Sequence, residues 1–182
     1  PAGASLSAGT DNGDGSWSLT PAQLQNLSIT PPADSDADFT LEVMATSAEQ
    51  DGHSWGVTST TLNVEVTGVA DAPSVNVTNV TGAEDGAIPL GINVALADTD
   101  GSESITAVTI GGVPAGASLS AGTDNGNGTW TLTPAQLNGL TVTPPANSDA
   151  DFSLTVTATS SEGGSSANTV AAFTVAVNAV AD

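Results

Sequence analysis

The 182-residue chain carries no Lys or Arg against 20 Asp and Glu, a formal net charge of -20. Phosphate backbones and anionic lipid surfaces are bound through cations, so this balance excludes nucleic acid and an anionic membrane face as partners. It also leaves every surface charge repelling the others, with divalent metal ions as the obvious counter-charge.

The chain is nevertheless built to fold. Hydrophobic residues make up 38% and charged ones only 11%, so the acid is concentrated rather than spread. There is no Cys, so no disulfide can staple the fold and thiols say nothing of the compartment. No apolar run is long enough to span a bilayer, and no signal peptide is recognisable. The sequence starts in the middle of a repeat, which predicts a piece of something longer.

Residues 1–13, PAGASLSAGTDNG, recur unchanged at 114–126, an offset of 113 residues. Aligned at that offset, 37 of the 50 positions in 1–50 and 114–163 are identical. The triplet VAD at 69–71 recurs at 180–182 with an offset of 111, which places a two-residue deletion in the loop after Ser47 or Ser160. A period this long is a domain rather than a solenoid turn. The expected division is therefore 1–71, the C-terminal part of one β-sandwich repeat, and 72–182, a complete second repeat.

Along the complete repeat the apolar residues keep a period of two, the mark of strands. Val75 and Val77 open it. Ile88, Leu90, Ile92, Val94 and Leu96 predict one face of a single strand, and 104–110 predicts another. A weaker strand is expected at 117–120. The turn DNGNG at 124–128, like DNGDG at 11–15, is a hairpin signal. Trp130 and Leu132 then alternate with Thr, placing Trp130, and its counterpart Trp17, in the core. Thr133-Pro134 predicts a single capped helical turn. Leu140 with Val142, the run Phe152, Leu154, Val156 and Ala158, and finally Phe173, Val175 and Val177 complete the pattern. The fold expected is all-β: tandem sandwiches of about seven strands each.

The acids fall at turns and boundaries. Asp34, Asp36 and Asp38 are spaced i, i+2, i+4, which in extended chain sets all three on one side. The second copy reads Asn147, Asp149 and Asp151, where an Asn carbonyl oxygen can still act as a hard ligand. Asp98, Asp100 and Glu103 lie in ADTDGSE, Glu84 and Asp85 follow the first strand, and Asp71 and Asp182 sit at the unit boundaries. Clustered carboxylates without cations favour Ca2+, which takes six to eight oxygen ligands. The competing reading is that Asp in such places simply makes turns. The only His, His53, stands in the loop EQDGHSWG beside Trp55 and carries no expected role. With no Lys, Arg, Cys or Tyr and no His in the complete repeat, no catalytic constellation is visible, and the chain is expected not to be an enzyme.

The stretches EDGAIPLGINVALADTDGSE, GVPAGASLSAGTDNGNGTWTLTPAQLNGLTVTPPANSDADFSLTVTATS and VADAPSV resemble the cadherin-like (Ig-like) repeats of large bacterial adhesins exported by type I secretion. The resemblance implies a secreted, cell-surface extender repeat of an RTX-type adhesin or fibre, rigidified by calcium at domain junctions. It implies that Asp98 and Asp100 face the linker Asp71, with Asp36 and Asp38 completing that junction; Glu103, in the same acidic segment, is a further candidate metal ligand. Glu84, Asp85, Asp149, Asp151 and Asp182 would then form half of the next one. Partners expected are adjacent repeats of the same chain and other copies in a fibre, with any glycan or cell-surface target elsewhere in the full protein. Two alternatives stand beside it: an adhesive module recognising glycans or itself, and a fibre subunit whose first repeat is completed by another chain's strands. Only Met44 and Trp55 fall outside the core pattern as candidate adhesive residues.

Overall fold

The computed structural model describes residues 1–50 and 54–181. The protein is all-β, with two short 3-10 turns at Pro21–Leu24 and Pro134–Leu137. It divides into two compact units, Pro1–Gly68 and Val69–Asp182. The division lies three residues before the boundary read from the repeat. Ala70 and Asp71 donate their backbone N–H groups to Ser165 and Glu103, so both belong to the second unit.

The first unit contains β1 (Ser5–Leu6), β2 (Thr10–Asp11), β3 (Trp17–Ser18), β4 (Ile29–Thr30), β5 (Phe39–Ala48) and β6 (Trp55–Val64). Among the described residues they pair in twos: β1 with β4, β2 with β3, and β5 with β6.

The second unit contains β7 (Ser74–Val77), β8 (Val80–Ala83), β9 (Ile88–Pro89), β10 (Ile92–Ala95), β11 (Ser104–Gly111), β12 (Ser118–Leu119), β13 (Thr123–Asp124), β14 (Thr129–Leu132), β15 (Thr141–Thr143), β16 (Phe152–Glu162) and β17 (Ser165–Asn178). One sheet has the order β13-β14-β11-β16-β17-β8, with β8 parallel to β17 and every other pair antiparallel. The opposing layer is β12-β15-β9 together with β7-β10. Between the layers Ile88, Leu119 and Val142 meet Val108, Ile110, Leu154, Val156, Phe173 and Val175 in one closed core.

The alternation that predicts these strands is the alternation that buries them, because successive side chains on a strand point to opposite faces. Along β16 the burial switches residue by residue, with Leu154, Val156, Ala158 and Ser160 all inward. The expected single strand over 88–96 is two strands in different sheets: β9 pairs with β15, and β10 with β7. The break falls at Gly91, where a Cβ would stand 2.6 Å from Thr78 Oγ1. A strand that changes sheets keeps its inward face through the change, so periodicity alone cannot reveal the corner.

The strand at 117–120 forms, as β12 paired with β15. Trp130 is half-buried and packs against the core from its edge. Both DNG turns close hairpins: Asp11 and Asp124 accept the N–H of Gly13 and Gly126 at 2.9 and 2.8 Å. At Thr133 the backbone N–H is held by the Gln136 side chain at 2.8 Å, which caps the turn that follows. Among the described residues no helix is long and apolar enough to cross a membrane.

Candidate functional site

Strands β16 and β17 span the second unit from pole to pole and sort its acids into two groups. At one pole stand the end of β16, the start of β17 and the start of β11. The chain enters here, and Asp71, Asp98, Asp100, Glu103 and Glu162 gather around that entry. At the other pole stand the start of β16 and the ends of β17 and β8. The chain leaves there, beside Glu84, Asp85 and Asp151.

The entry pole is the more unusual. Asp98 is 3% exposed, Glu103 5% and Glu162 5%, so three carboxylates are buried in a protein without Lys or Arg. Their hydrogen bonds come almost wholly from the backbone and one serine. Asp98 Oδ1 accepts the Asp100 N–H at 2.8 Å. Glu103 Oε1 accepts the Asp71 N–H at 2.7 Å. The Ser102 hydroxyl lies 2.7 Å from Glu162 Oε1 and also in reach of Asp100 Oδ1. A hydroxyl has one proton, so it serves only one of the two at a time. Asp98 Oδ2 and Glu103 Oε2 are buried with no hydrogen-bond partner among the described residues. A buried carboxylate oxygen left unpaired is costly, and its charge calls for a cation or a proton.

Asp100 is exposed, and the Ser102 hydroxyl followed by the Ser102 N–H hold its carboxyl below the usual aspartate range. Ser160, fully buried, donates its hydroxyl to the Asp71 carbonyl and so ties the entering chain to β16. Glu162 and Ser160 were not among the residues singled out from the sequence. Their signal was present: both continue the inward phase of Leu154 and Val156 along β16.

At the exit pole Glu84, Asp85 and Asp151 each bind backbone. Glu84 Oε1 accepts the Val180 N–H at 2.8 Å, Asp85 Oδ1 the Asn147 N–H at 2.9 Å, and Asp151 Oδ1 the Val177 N–H at 2.8 Å. Asp149 is exposed and lies between Asn147 and Asp151, so it shares this pole with Glu84 and Asp85. Asp182 and His53 lie outside the described residues. In the first unit Asp38 repeats the role of Asp151, accepting the Val66 N–H at 2.7 Å, while Asp36 is exposed.

The one-sided ladder expected of Asp34, Asp36 and Asp38 does not form. Asp34 has φ of 55°, and its counterpart Asn147 has 54°, both left-handed. A left-handed residue breaks the alternation of an extended chain, and Asn and Asp tolerate it better than other side chains with a Cβ. The Asp-to-Asn exchange between repeats therefore conserves a turn. Among the described residues no three acidic or histidine side chains converge as a ready-made metal cluster. An ion at the entry pole would have to draw on Asp98 and Glu103 together with carbonyl, hydroxyl or water oxygens, which calcium's ligand requirements allow.

No protein-family model matches the chain, and no curated protein sequence matches it. Among solved structures it is similar to the endo-fucoidan hydrolase MfFcnA4 from glycoside hydrolase family 107 and to a variant of that enzyme. In both cases identity is 21%, the TM-score is 0.31, and the match covers 100% of this chain and 23% of the other. The chain thus spans about a quarter of the length of the structures it matches. The expectation that the chain is not an enzyme is corrected by this finding, because both matched structures are of a hydrolase. A residue inventory of one segment does not exclude a catalytic centre in the protein it belongs to. A likeness at this TM-score assigns neither activity nor substrate.

Proposed function

We propose that the chain is a structural extender repeat of a secreted bacterial surface adhesin or fibre, stiffened by calcium at the ends through which the chain enters and leaves each repeat. The observation that carries the reading is the pair of buried, partnerless oxygens, Asp98 Oδ2 and Glu103 Oε2, in a chain with no Lys or Arg. A hard divalent cation supplies what that pole lacks: positive charge and a partner for several oxygens at once.

The mechanism is charge neutralisation. Without metal the buried carboxylates repel, and the segment 98–103 and the entering residues 70 and 71 loosen together. With metal the entry is pinned to β16 through Asp71, Glu103 and Ser160. Each repeat adds length, and the ion restricts bending at its ends. Near-identity of the two copies supports a rod made by duplicating one module.

The test is thermal unfolding of the chain in EDTA, in millimolar magnesium and in millimolar calcium. An upward shift with calcium that magnesium does not match, and that Asp98→Ala largely removes, supports the proposal. Identical curves in all three conditions remove calcium from it and leave the acids as backbone caps.

A further inference from the structure

The hairpin β5–β6 differs from its counterpart β16–β17 on one face only. Along β5 the five inward positions from 39 to 47 hold the same residues as 152 to 160. Of the five outward positions from 40 to 48, only Thr46 matches, as Thr159. Glu42 and Met44 stand where the second unit has Thr155 and Thr157. Along β6, Trp55 and Val57 stand where it has Ser166 and Asn168. The register gathers the apolar ones: Ala48 pairs with Trp55, Thr46 with Val57 and Met44 with Ser59, so Trp55, Val57 and Met44 share the outward face. Trp55 is 77% exposed and Val57 62%. Ser166 and Asn168 are exposed in the complete repeat too, so these two positions face solvent whatever packs on the inward side. Met44 matches Thr157, half-buried beside β11, and forms the rim of the patch.

We infer that this outward patch, Trp55, Val57 and Met44 with Glu42 beyond them, docks a cationic polypeptide, an extended segment carrying Arg or Lys on either side of aliphatic side chains. The second unit builds the same hairpin with Ser, Asn and Thr at the apolar positions, so folding does not require them. Exposed apolar side chains gathered on an otherwise polar face mark a contact surface. Charge selects the occupant. With no Lys or Arg and a net charge of -20, the chain repels a second copy or an anionic surface, and the positive charge has to come from the partner. Two groups on the face receive it. The Trp55 ring attracts a guanidinium or ammonium over its π-face. Glu42, two residues before Met44 on the same side, offers a carboxylate for a charge-assisted hydrogen bond. From Trp55 to Glu42 the face runs roughly 20 Å, with Val57 and Met44 between. An extended partner shows every second side chain on one face. The pattern Arg-x-Leu-x-Leu-x-Arg therefore sets both Leu on Val57 and Met44 and one Arg at each end.

This inference does not rest on the calcium reading, and its test is run in EDTA to keep the two apart. The probe is the peptide RSLSLSR, titrated into the whole chain by calorimetry. The comparison variant carries Trp55→Ser, Val57→Asn and Met44→Thr together, the residues the second unit holds there, so fold and net charge are kept. Kd for the peptide is expected to rise at least about tenfold in the variant. The reverse graft, Ser166→Trp, Asn168→Val, Thr157→Met and Thr155→Glu, should add a second site of similar affinity. The peptides ESLSLSE and RSSSSSR should not distinguish parent from variant. Equal Kd for parent and variant would reduce the attraction to net charge and overturn the inference. A graft that adds no site overturns it as well, as does a patch that discriminates for a neutral oligosaccharide, or for a second copy of the chain, in place of the peptide.

Discussion

Asp71 gives its backbone N–H to Glu103 Oε1 at 2.7 Å, and the other oxygen of the same carboxylate, Oε2, is buried with no hydrogen-bond partner among the described residues. One residue thus both anchors the entering chain and carries a charge that the protein itself does not answer. The anchoring needs only an acceptor oxygen; the charge is separable from it by substitution.

Glu103→Gln keeps an acceptor for Asp71 and removes the charge. In EDTA the variant is expected to be as stable as the parent or more so, by about 1–3 kcal/mol, because an uncompensated buried charge has gone. Under the calcium proposal it also loses most of the calcium-induced rise in Tm. Urea unfolding with and without calcium reads both effects. A variant that is clearly weaker than the parent in EDTA would show that the Glu103 charge costs the fold nothing.

Asp100 provides a pH test. Its carboxyl is held below the usual aspartate range by the Ser102 hydroxyl and N–H, so it binds its proton less readily folded than unfolded. Such a group contributes stability that is complete above its unfolded-state pKa and is lost as the pH falls through its lower folded-state value. The stability difference between the parent and Asp100→Asn is therefore expected to change as the pH falls below the usual aspartate range, and to be constant above it. A difference that stays flat from neutrality down to about pH 2 would refute the role assigned to Ser102.

Asn147 separates turn from ligand. With φ of 54° it sits where a Cβ is strained and glycine is not. Asn147→Gly should leave stability unchanged or slightly raised, and Asn147→Ala should cost about 1 kcal/mol. Neither should alter the calcium response. A loss of that response on Asn147→Gly would restore Asn147 as a ligand.

The two PAQL turns give matched substitutions. Leu137→Ala opens a hole in the closed core and should cost about 2–4 kcal/mol. Leu24→Ala, on the open face of the first unit, should cost less than about 0.5 kcal/mol. Equal costs, measured by chemical denaturation of the whole chain, would mean that Leu24 is covered in solution.

Asp151→Ala tests the brace that both units share. Its loss leaves the Val177 N–H without its carboxylate partner and should cost about 1 kcal/mol. The corresponding Asp38→Ala should expose the Val66 amide to faster exchange. No change at either amide would reduce these bonds to surface ornament.

By itself the sequence determined the class and the module. Strict alternation at Leu154, Val156 and Ala158 needs no tertiary information to predict a half-buried strand, because the period of a strand is a property of the backbone. The offset of 113 residues likewise marks the repeat without any structure, and the missing cations are a matter of counting. What only the tertiary structure decided is where polar groups went. Whether Asp98 is solvated or buried depends on the strands packed over it. Whether Asp34 and Asn147 are ligands or left-handed corners depends on one dihedral angle. Whether Leu24 is core or surface depends on strands that, in the pattern of the complete repeat, lie well before it in sequence: β10 and β11 pack on the turn that carries its counterpart Leu137. Burial and hydrogen-bond partnership are set by long-range contacts, and those are not written in local spacing.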